Sequence, residues 1–258
     1  MHAPLCTRYE DHLKPSTLPG IAPANDPTSA PFGAFAPTRA QAAIMSLAQG
    51  TRLKRGALFN PEYNLVELDF LRANTPQGGV FVDVGANVGT YALALARHVA
   101  ASGTVIAVEP HPVTCARLAF NRAASGLDNI KLVAAAAGSC DGELVIQTDA
   151  DNLGASHIIS VEGADHGMRV PSLRLQRILR DAGVGHVDAL KIDVEGFEDR
   201  VLTGFFRQAP QGLWPRAVVI EHLSRNDWQD DCIADMRARG YAETGRTRSN
   251  TLLLRGSI

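Results

Sequence analysis

The chain has 258 residues, 45% of them hydrophobic, and 25 basic against 27 acidic side chains give a formal net charge of −2. That length and apolar content are ample for one sizeable core, and the balanced charge lacks the basic face on which nucleic-acid binding draws. No run of about 18 apolar residues is present, so no membrane-spanning helix is expected.

Residues 1 to 37 hold Pro4, Pro15, Pro19, Pro23, Pro27, Pro31 and Pro37, half of the chain's 14 prolines. Repeated prolines remove donors and disfavour helix at each preceding residue, which predicts an irregular arm rather than a domain. Its first residues lack the apolar stretch of a secretory signal. Thr38 caps a predicted short helix through Ala48, with Gly50 ending it. Pro61 suits the first turn of a further helix, in which Leu65, Leu68 and Leu71 share a face. Residues 38 to 258 are expected to form a single domain.

From there the pattern alternates. Strands are predicted near 79–84, 104–109, 130–134, 187–193 and 216–221, and helices near 88–101, 112–124, 173–182, 196–208 and 228–239. This repetition predicts an α/β fold with a doubly wound, mostly parallel Rossmann-like sheet. Two apolar pieces, Tyr241 to Thr244 and Thr251 to Leu254, follow without a helix between them and are expected to pair as an antiparallel hairpin. Between Ala137 and Val170 no helical period appears, which predicts a small antiparallel addition beside the ligand pocket. Cys6, Cys115, Cys140 and Cys232 are far apart and form no metal pattern, so reduced thiols in a cytoplasmic protein are expected, with no metal site.

The segment Val80-Phe-Val-Asp-Val-Gly-Ala-Asn-Val-Gly89, followed by Thr104-Val-Ile-Ala-Val-Glu-Pro110, carries the most information. It reads as a buried strand, a glycine turn opening a helix, and a second strand ending in an acid. A dinucleotide fingerprint needs G-x-G-x-x-G, whose second glycine lets backbone approach a pyrophosphate, and here that position is Asn87. Gly85 suits positive φ, Asn87 tolerates it, and Gly89 leaves room where the helix starts. A short turn after Asp83 suits a ligand with a charged amino-acid end, and Glu109 suits the hydroxyls of a ribose. Such a ligand is S-adenosylmethionine, and the cofactor-binding residues expected are Asp83, Gly85, Ala86, Asn87, Gly89 and Glu109. Asp83 has a second reading, as an acceptor for the turn it precedes.

Phe81-Val-Asp-Val-Gly-Ala-Asn-Val-Gly-Thr-Tyr91, Val108-Glu-Pro-His-Pro112, Asn121 and Leu190-Lys-Ile-Asp-Val-Glu-Gly-Phe-Glu198 stand in an order and spacing that resembles the FkbM-family methyltransferases, over roughly residues 56 to 222. The resemblance implies a class I S-adenosylmethionine-dependent methyltransferase, and O-methylation of a secondary metabolite or sugar. The closing hairpin is the usual ending of that fold, and Asn152 to Ser156 resembles an N-x-G-A-S stretch of the same family. One departure stands out: after Val170-Pro-Ser-Leu-Arg-Leu175 relatives commonly open the next helix with aspartate, whereas this chain has Gln176.

Ligands of open parallel sheets bind beyond the carboxyl ends of the strands, where strand order reverses. If extended backbone persists past Ile192, Asp193 and Glu195 face one pocket. Methyl transfer from a sulfonium needs an aligned acceptor and, for a hydroxyl, a proton acceptor. Asp193, Glu195 and His222 are the candidate catalytic residues by position. Each has a plainer reading: Asp193 as a helix cap or a partner of the cofactor's ammonium, Glu195 and Glu198 as negative charge at a helix start, Glu221 as an ion-pair partner, His222 as a structural histidine. His111 reads as packing over the cofactor. The expected partner is a small hydroxylated acceptor rather than nucleic acid or a membrane. The competing readings are a degenerate methyltransferase that only binds cofactor, and a nicotinamide-dependent oxidoreductase, against which Asn87 argues.

Overall fold

The computed structural model describes residues 64–149, 152–159 and 167–256. The proline-rich arm, the helix expected from Thr38 to Ala48, and Pro61 lie outside those residues. In chain order the elements are α1 (Leu65–Asn74), β1 (Val80–Val84), α2 (Thr90–Val99), β2 (Thr104–Val108), α3 (Pro112–Ala124), β3 (Ile130–Val133), β4 (Ala136–Gly138), β5 (Gly142–Asp149), β6 (Asn152–Ile159) and β7 (Met168–Arg174). They continue with α4 (Leu175–Asp181), β8 (Ala189–Ile192), α5 (Glu198–Gln208), β9 (Ala217–Glu221), α6 (Cys232–Ala238), β10 (Tyr241–Arg246) and β11 (Asn250–Arg255). Short 3-10 turns at Gln211–Leu213 and Arg225–Asp227 flank β9.

The main sheet has seven strands in the order β10-β11-β9-β8-β1-β2-β3. The inner pairs β8–β9, β8–β1, β1–β2 and β2–β3 are parallel, and β11 closes the sheet antiparallel to β9 and β10. Every residue of β1 is buried, as a strand covered on both faces requires. Alternation then divides the core. Val82, Val84, Ile106, Val108, Leu190 and Ile192 face α4, α5 and α6, while Phe81, Val105, Ala107, Ala189 and Val219 face α1 and α2. Asp83 and Lys191, paired across the β1–β8 register, fall by the same alternation on the α1/α2 face. The order reverses at β1, between β8 and β2, so the crevice for a ligand lies over their carboxyl ends.

The irregular region predicted between Ala137 and Val170 is a second sheet, β4-β7-β5-β6. Its β5–β6 and β5–β7 pairs are antiparallel, as expected, but β4 joins β7 in parallel. Ala136, Leu144, Ile146 and Val170 form its own small core, against which Phe197 packs. At the start of α4, where Gln176 replaces the expected acid, the Arg174 N–H and guanidinium are both held by Asp141 at 2.9 Å, so the carboxylate arrives from the β4–β5 turn instead. Gln176 donates to the Gln208 carbonyl.

Apart from α3, which starts at Pro112 as expected, helix starts fall later than the apolar pattern indicates, for a visible reason. Asn87 (φ 52°) and Gly89 (φ 96°) delay α2 to Thr90, Glu195 (φ 53°) and Gly196 (φ 95°) delay α5 to Glu198, and Asp231 caps α6 by accepting from the Ala234 N–H. Among the described residues no helix is long and apolar enough to cross a membrane. Cys115 and Cys232 are free and buried, but Cys140 is disulfide-bonded, which corrects the expectation of reduced thiols throughout.

Candidate active site

The turn after β1 is closed by its own hydrogen bonds. The N–H groups of Gly85 and Ala86 both donate to the Val108 carbonyl at 3.0 and 2.9 Å, Asn87 N–H donates to Glu109 Oε2 at 2.7 Å, Val88 N–H to Asn87 Oδ1, and Gly89 N–H to the Ala86 carbonyl. A phosphate cradle works by aiming such N–H groups at the ligand. All five are engaged within the protein here, so the turn suits a nucleoside ligand without phosphates.

Glu109 is buried at the end of β2, and its Oε1 accepts the His111 N–H at 2.9 Å while Oε2 takes that of Asn87. The two donors fix the carboxylate plane beside the turn. His111 caps α3: its Nδ1 accepts from the Thr114 N–H, and burial holds its pKa below the usual histidine value. Asn121 donates from α3 to the Val88 carbonyl, tying that helix to the turn. A Cβ on Gly89 meets Leu118 Cδ1 of α3 at 2.3 Å, so the space this glycine leaves open is filled by core packing.

Asp83 lies beneath the turn, fully buried. Its Oδ2 accepts the Ala92 N–H of α2 at 3.0 Å, and Oδ1 stands 3.7 Å from Lys191 Nζ. Burial pushes its carboxyl pKa up, opposed by Lys191 and by the Ala92 N–H. Of its two readings, the side-chain contacts are those of a support for the turn and α2.

The extended run of β8 stops at Ile192. Asp193 still donates its N–H to the Val84 carbonyl, but Glu195 is left-handed, so strand alternation is not what places Glu195. The loop instead wraps around Glu198, which accepts from Val194 N–H at 2.8 Å, Gly196 N–H at 3.1 Å and Trp228 Nε1 at 2.8 Å. Asp193, Glu198 and Glu221 bring carboxylate oxygens within 4.8 Å of one another. Glu221, ending β9, takes N–H donors from Leu223 and Ser224. N–H donors already point at oxygens of Glu198 and Glu221, and three carboxylates this close are also a set that could hold a metal ion. Sequence reasoning noted Glu198 and Glu221 separately and missed that they converge with Asp193. The spacing of Glu195 and Glu198 at a helix start is the one signal that pointed there.

Burial, with Asp193 and Glu221 nearby, raises the Glu195 pKa to about 7, and burial raises Glu198 to about 7 against its N–H donors. Glu221 is raised too, first by burial. His222 directly follows Glu221 in the chain. Its Nδ1 lies 3.0 Å from Thr251 Oγ1 of β11, and burial together with Arg246 lowers its pKa. The structure therefore brings Asp193 and Glu195 together and turns the His222 ring toward the hairpin.

A seven-stranded sheet of this order, with a phosphate-free glycine turn and an acid ending its second strand, defines the class I S-adenosylmethionine-dependent methyltransferases. Residues 83–242 match the methyltransferase FkbM domain. The chain belongs to that family, it is a methyltransferase, and S-adenosylmethionine is its cofactor. Among solved structures it is similar to a methyltransferase from Geobacter sulfurreducens, at 18% identity over 84% of this chain and 88% of that one, with a TM-score of 0.50. It is also similar to the O-methyltransferase TomG from Streptomyces achromogenes, involved in tomaymycin synthesis and solved with S-adenosylmethionine (13%, 83% and 90%, TM-score 0.48). A third is an rRNA methylase from Streptococcus thermophilus (11%, 74% and 95%, TM-score 0.43). These likenesses concern the fold. No curated protein matches the chain significantly in sequence.

Proposed function

We propose that the enzyme methylates a hydroxyl group on a small molecule, a secondary metabolite or sugar, and that Glu195 is the proton acceptor. The observation that carries this reading is the carboxyl of Glu195, raised to about 7 and held on a left-handed residue at the carboxyl end of β8. A base with a pKa near the working pH combines a large ionised fraction with a useful affinity for the proton. S-adenosylmethionine, when bound, supplies an activated methyl group whose leaving group is neutral. The Gly85 to Gly89 turn, with Ala86 and Asn87, and Glu109 hold the cofactor, Glu109 through the ribose hydroxyls, and Asp83 supports the turn from below. Asp193 lines the acceptor side with Glu195, and His222 flanks it. Glu195 would take the proton of the acceptor hydroxyl.

In this reading no metal takes part, the substrate is not nucleic acid, and the enzyme works in the cytoplasm. Residues 1–37 form an arm appended to the catalytic domain and are not needed for cofactor binding. A chain starting at Thr38 that folds but fails to bind S-adenosylmethionine contradicts that division.

The test is turnover of S-adenosylmethionine labelled in its methyl group against small-molecule extracts, with total RNA as a parallel acceptor. A labelled small product carrying an O-methyl group, formed equally in the presence of EDTA, is the expected result. Label in RNA, or activity lost on chelation and restored by Mg²⁺, refutes the corresponding part.

A further inference from the structure

Lys191 is a buried cation at the centre of this fold. Its ammonium lies 3.7 Å from Asp83, 3.4 Å from Asp193 and 5.2 Å from the centre of the Tyr91 ring, and it donates to the Gly85 carbonyl at 3.2 Å. These partners belong to four different segments: β1, the cofactor turn, α2 and the loop after β8. At the same point the turn and the loop touch backbone to backbone, since a Cβ on Gly85 stands 1.9 Å from the Asp193 carbonyl oxygen. Asp83 is wholly buried, whereas the Asp193 side chain is 37% exposed toward the crevice. One ammonium therefore joins a buried anchor to a carboxylate that faces the ligands.

We propose that Lys191 is a positioning residue that clamps the cofactor turn to Asp193, so that the two halves of the site hold one geometry. The inference rests on the reading of Asp193 as a residue of the ligand-facing site. Asp83 fixes the ammonium from below. The ammonium then fixes the Gly85 carbonyl and the Asp193 carboxylate relative to each other, and Tyr91 closes its remaining side. Burial acts against the charge on Lys191, but Asp193 and Asp83 outweigh it and raise its pKa, so the clamp is ionised throughout the working range. A single cation shared among such partners gives non-additive effects when they are removed one at a time.

The experiment uses the full chain and measures S-adenosylmethionine affinity by titration calorimetry for wild type, Lys191→Met, Asp193→Asn and the pair together. Circular dichroism checks the fold of each. Removing the cation alone strands Asp83 as a buried unpaired charge, so Asp83→Asn/Lys191→Met, which removes both, is the companion that keeps the fold. Lys191→Met is expected to weaken affinity about tenfold, and Asp193→Asn to add less than about twofold on top of it while costing more by itself. Asp83→Asn/Lys191→Met is expected to recover wild-type thermal stability but not affinity, and Lys191→Arg to recover part of the affinity. Full recovery of affinity in Asp83→Asn/Lys191→Met reduces Lys191 to a counter-ion for Asp83 and overturns the proposal, as do effects of Lys191→Met and Asp193→Asn that simply multiply. If Asp193→Asn alone changes neither affinity nor, once an acceptor is in hand, turnover, it is the assignment of Asp193 that fails.

Discussion

Glu195 and Glu109 carry the same functional group in opposite electrostatic settings. Glu109 is buried and oriented by two N–H donors, which suits a permanent acceptor for ribose hydroxyls. Glu195 sits among other carboxylates with a pKa near 7, which suits a group that gains and loses a proton. Glu195→Gln is expected to lower kcat roughly 100-fold or more with little change in S-adenosylmethionine affinity, and to abolish the rise of kcat/KM through about pH 7 expected of wild type. An unaltered pH profile in this variant refutes the role. Glu109→Ala removes a charged acceptor, and calorimetry should show affinity for S-adenosylmethionine falling by roughly 10-fold to 100-fold. Both proposed roles draw on a residue two positions away, His111 for Glu109 and Asp193 for Glu195, and on groups the fold brings from elsewhere. Each follows from how many N–H groups and how many other carboxylates the fold brings near.

At the scale of elements, the turn is held by its contact with α3 as much as by its own residues. Leu118 is wholly buried and fills the space beside Gly89, and Asn121, one turn further along the same helix, donates to the Val88 carbonyl. Leu118→Ala is expected to cost about 2 to 5 kcal/mol by opening a cavity, and because that cavity lies against Gly89 it should also weaken cofactor binding. Chemical denaturation and calorimetry on the same variant measure both. A stability loss with unchanged affinity shows that α3 supports the core without shaping the turn. Gly89 marks a limit of reading motifs along the chain. The pattern reads this glycine as leaving room where the helix starts, and its left-handed φ of 96° is a second reason for glycine there. That space is filled from α3, about thirty residues away in sequence.

For the whole molecule, the gathered carboxylates tie stability to pH. Glu195 and Glu198 hold protons more tightly folded than an ordinary glutamate near 4.5 does, since both are raised to about 7. Between those values the folded chain binds more protons than the unfolded one, so this contribution to stability is complete below the lower value and is lost as pH rises through about 7. The melting temperature is expected to fall across that window, and Glu198→Gln should flatten the decline; a flat wild-type profile contradicts the shifts. The residues alone determined a great deal here: the alternation of strands and helices, the closing hairpin, the phosphate-free turn with left-handed Asn87, and the kinship with FkbM methyltransferases. All of these rest on local periodicity, on backbone preference and on short motifs, which are properties of neighbouring residues. Tertiary structure alone decided that Asp83 turns inward to Lys191 and Ala92, that Glu198 and Glu221 join Asp193, that His222 turns toward Thr251, and that Asp141 stands in for the acid absent at Gln176. Those outcomes depend on which segments the sheet order brings side by side, and a carboxylate's role is set by the donors and charges around it in space.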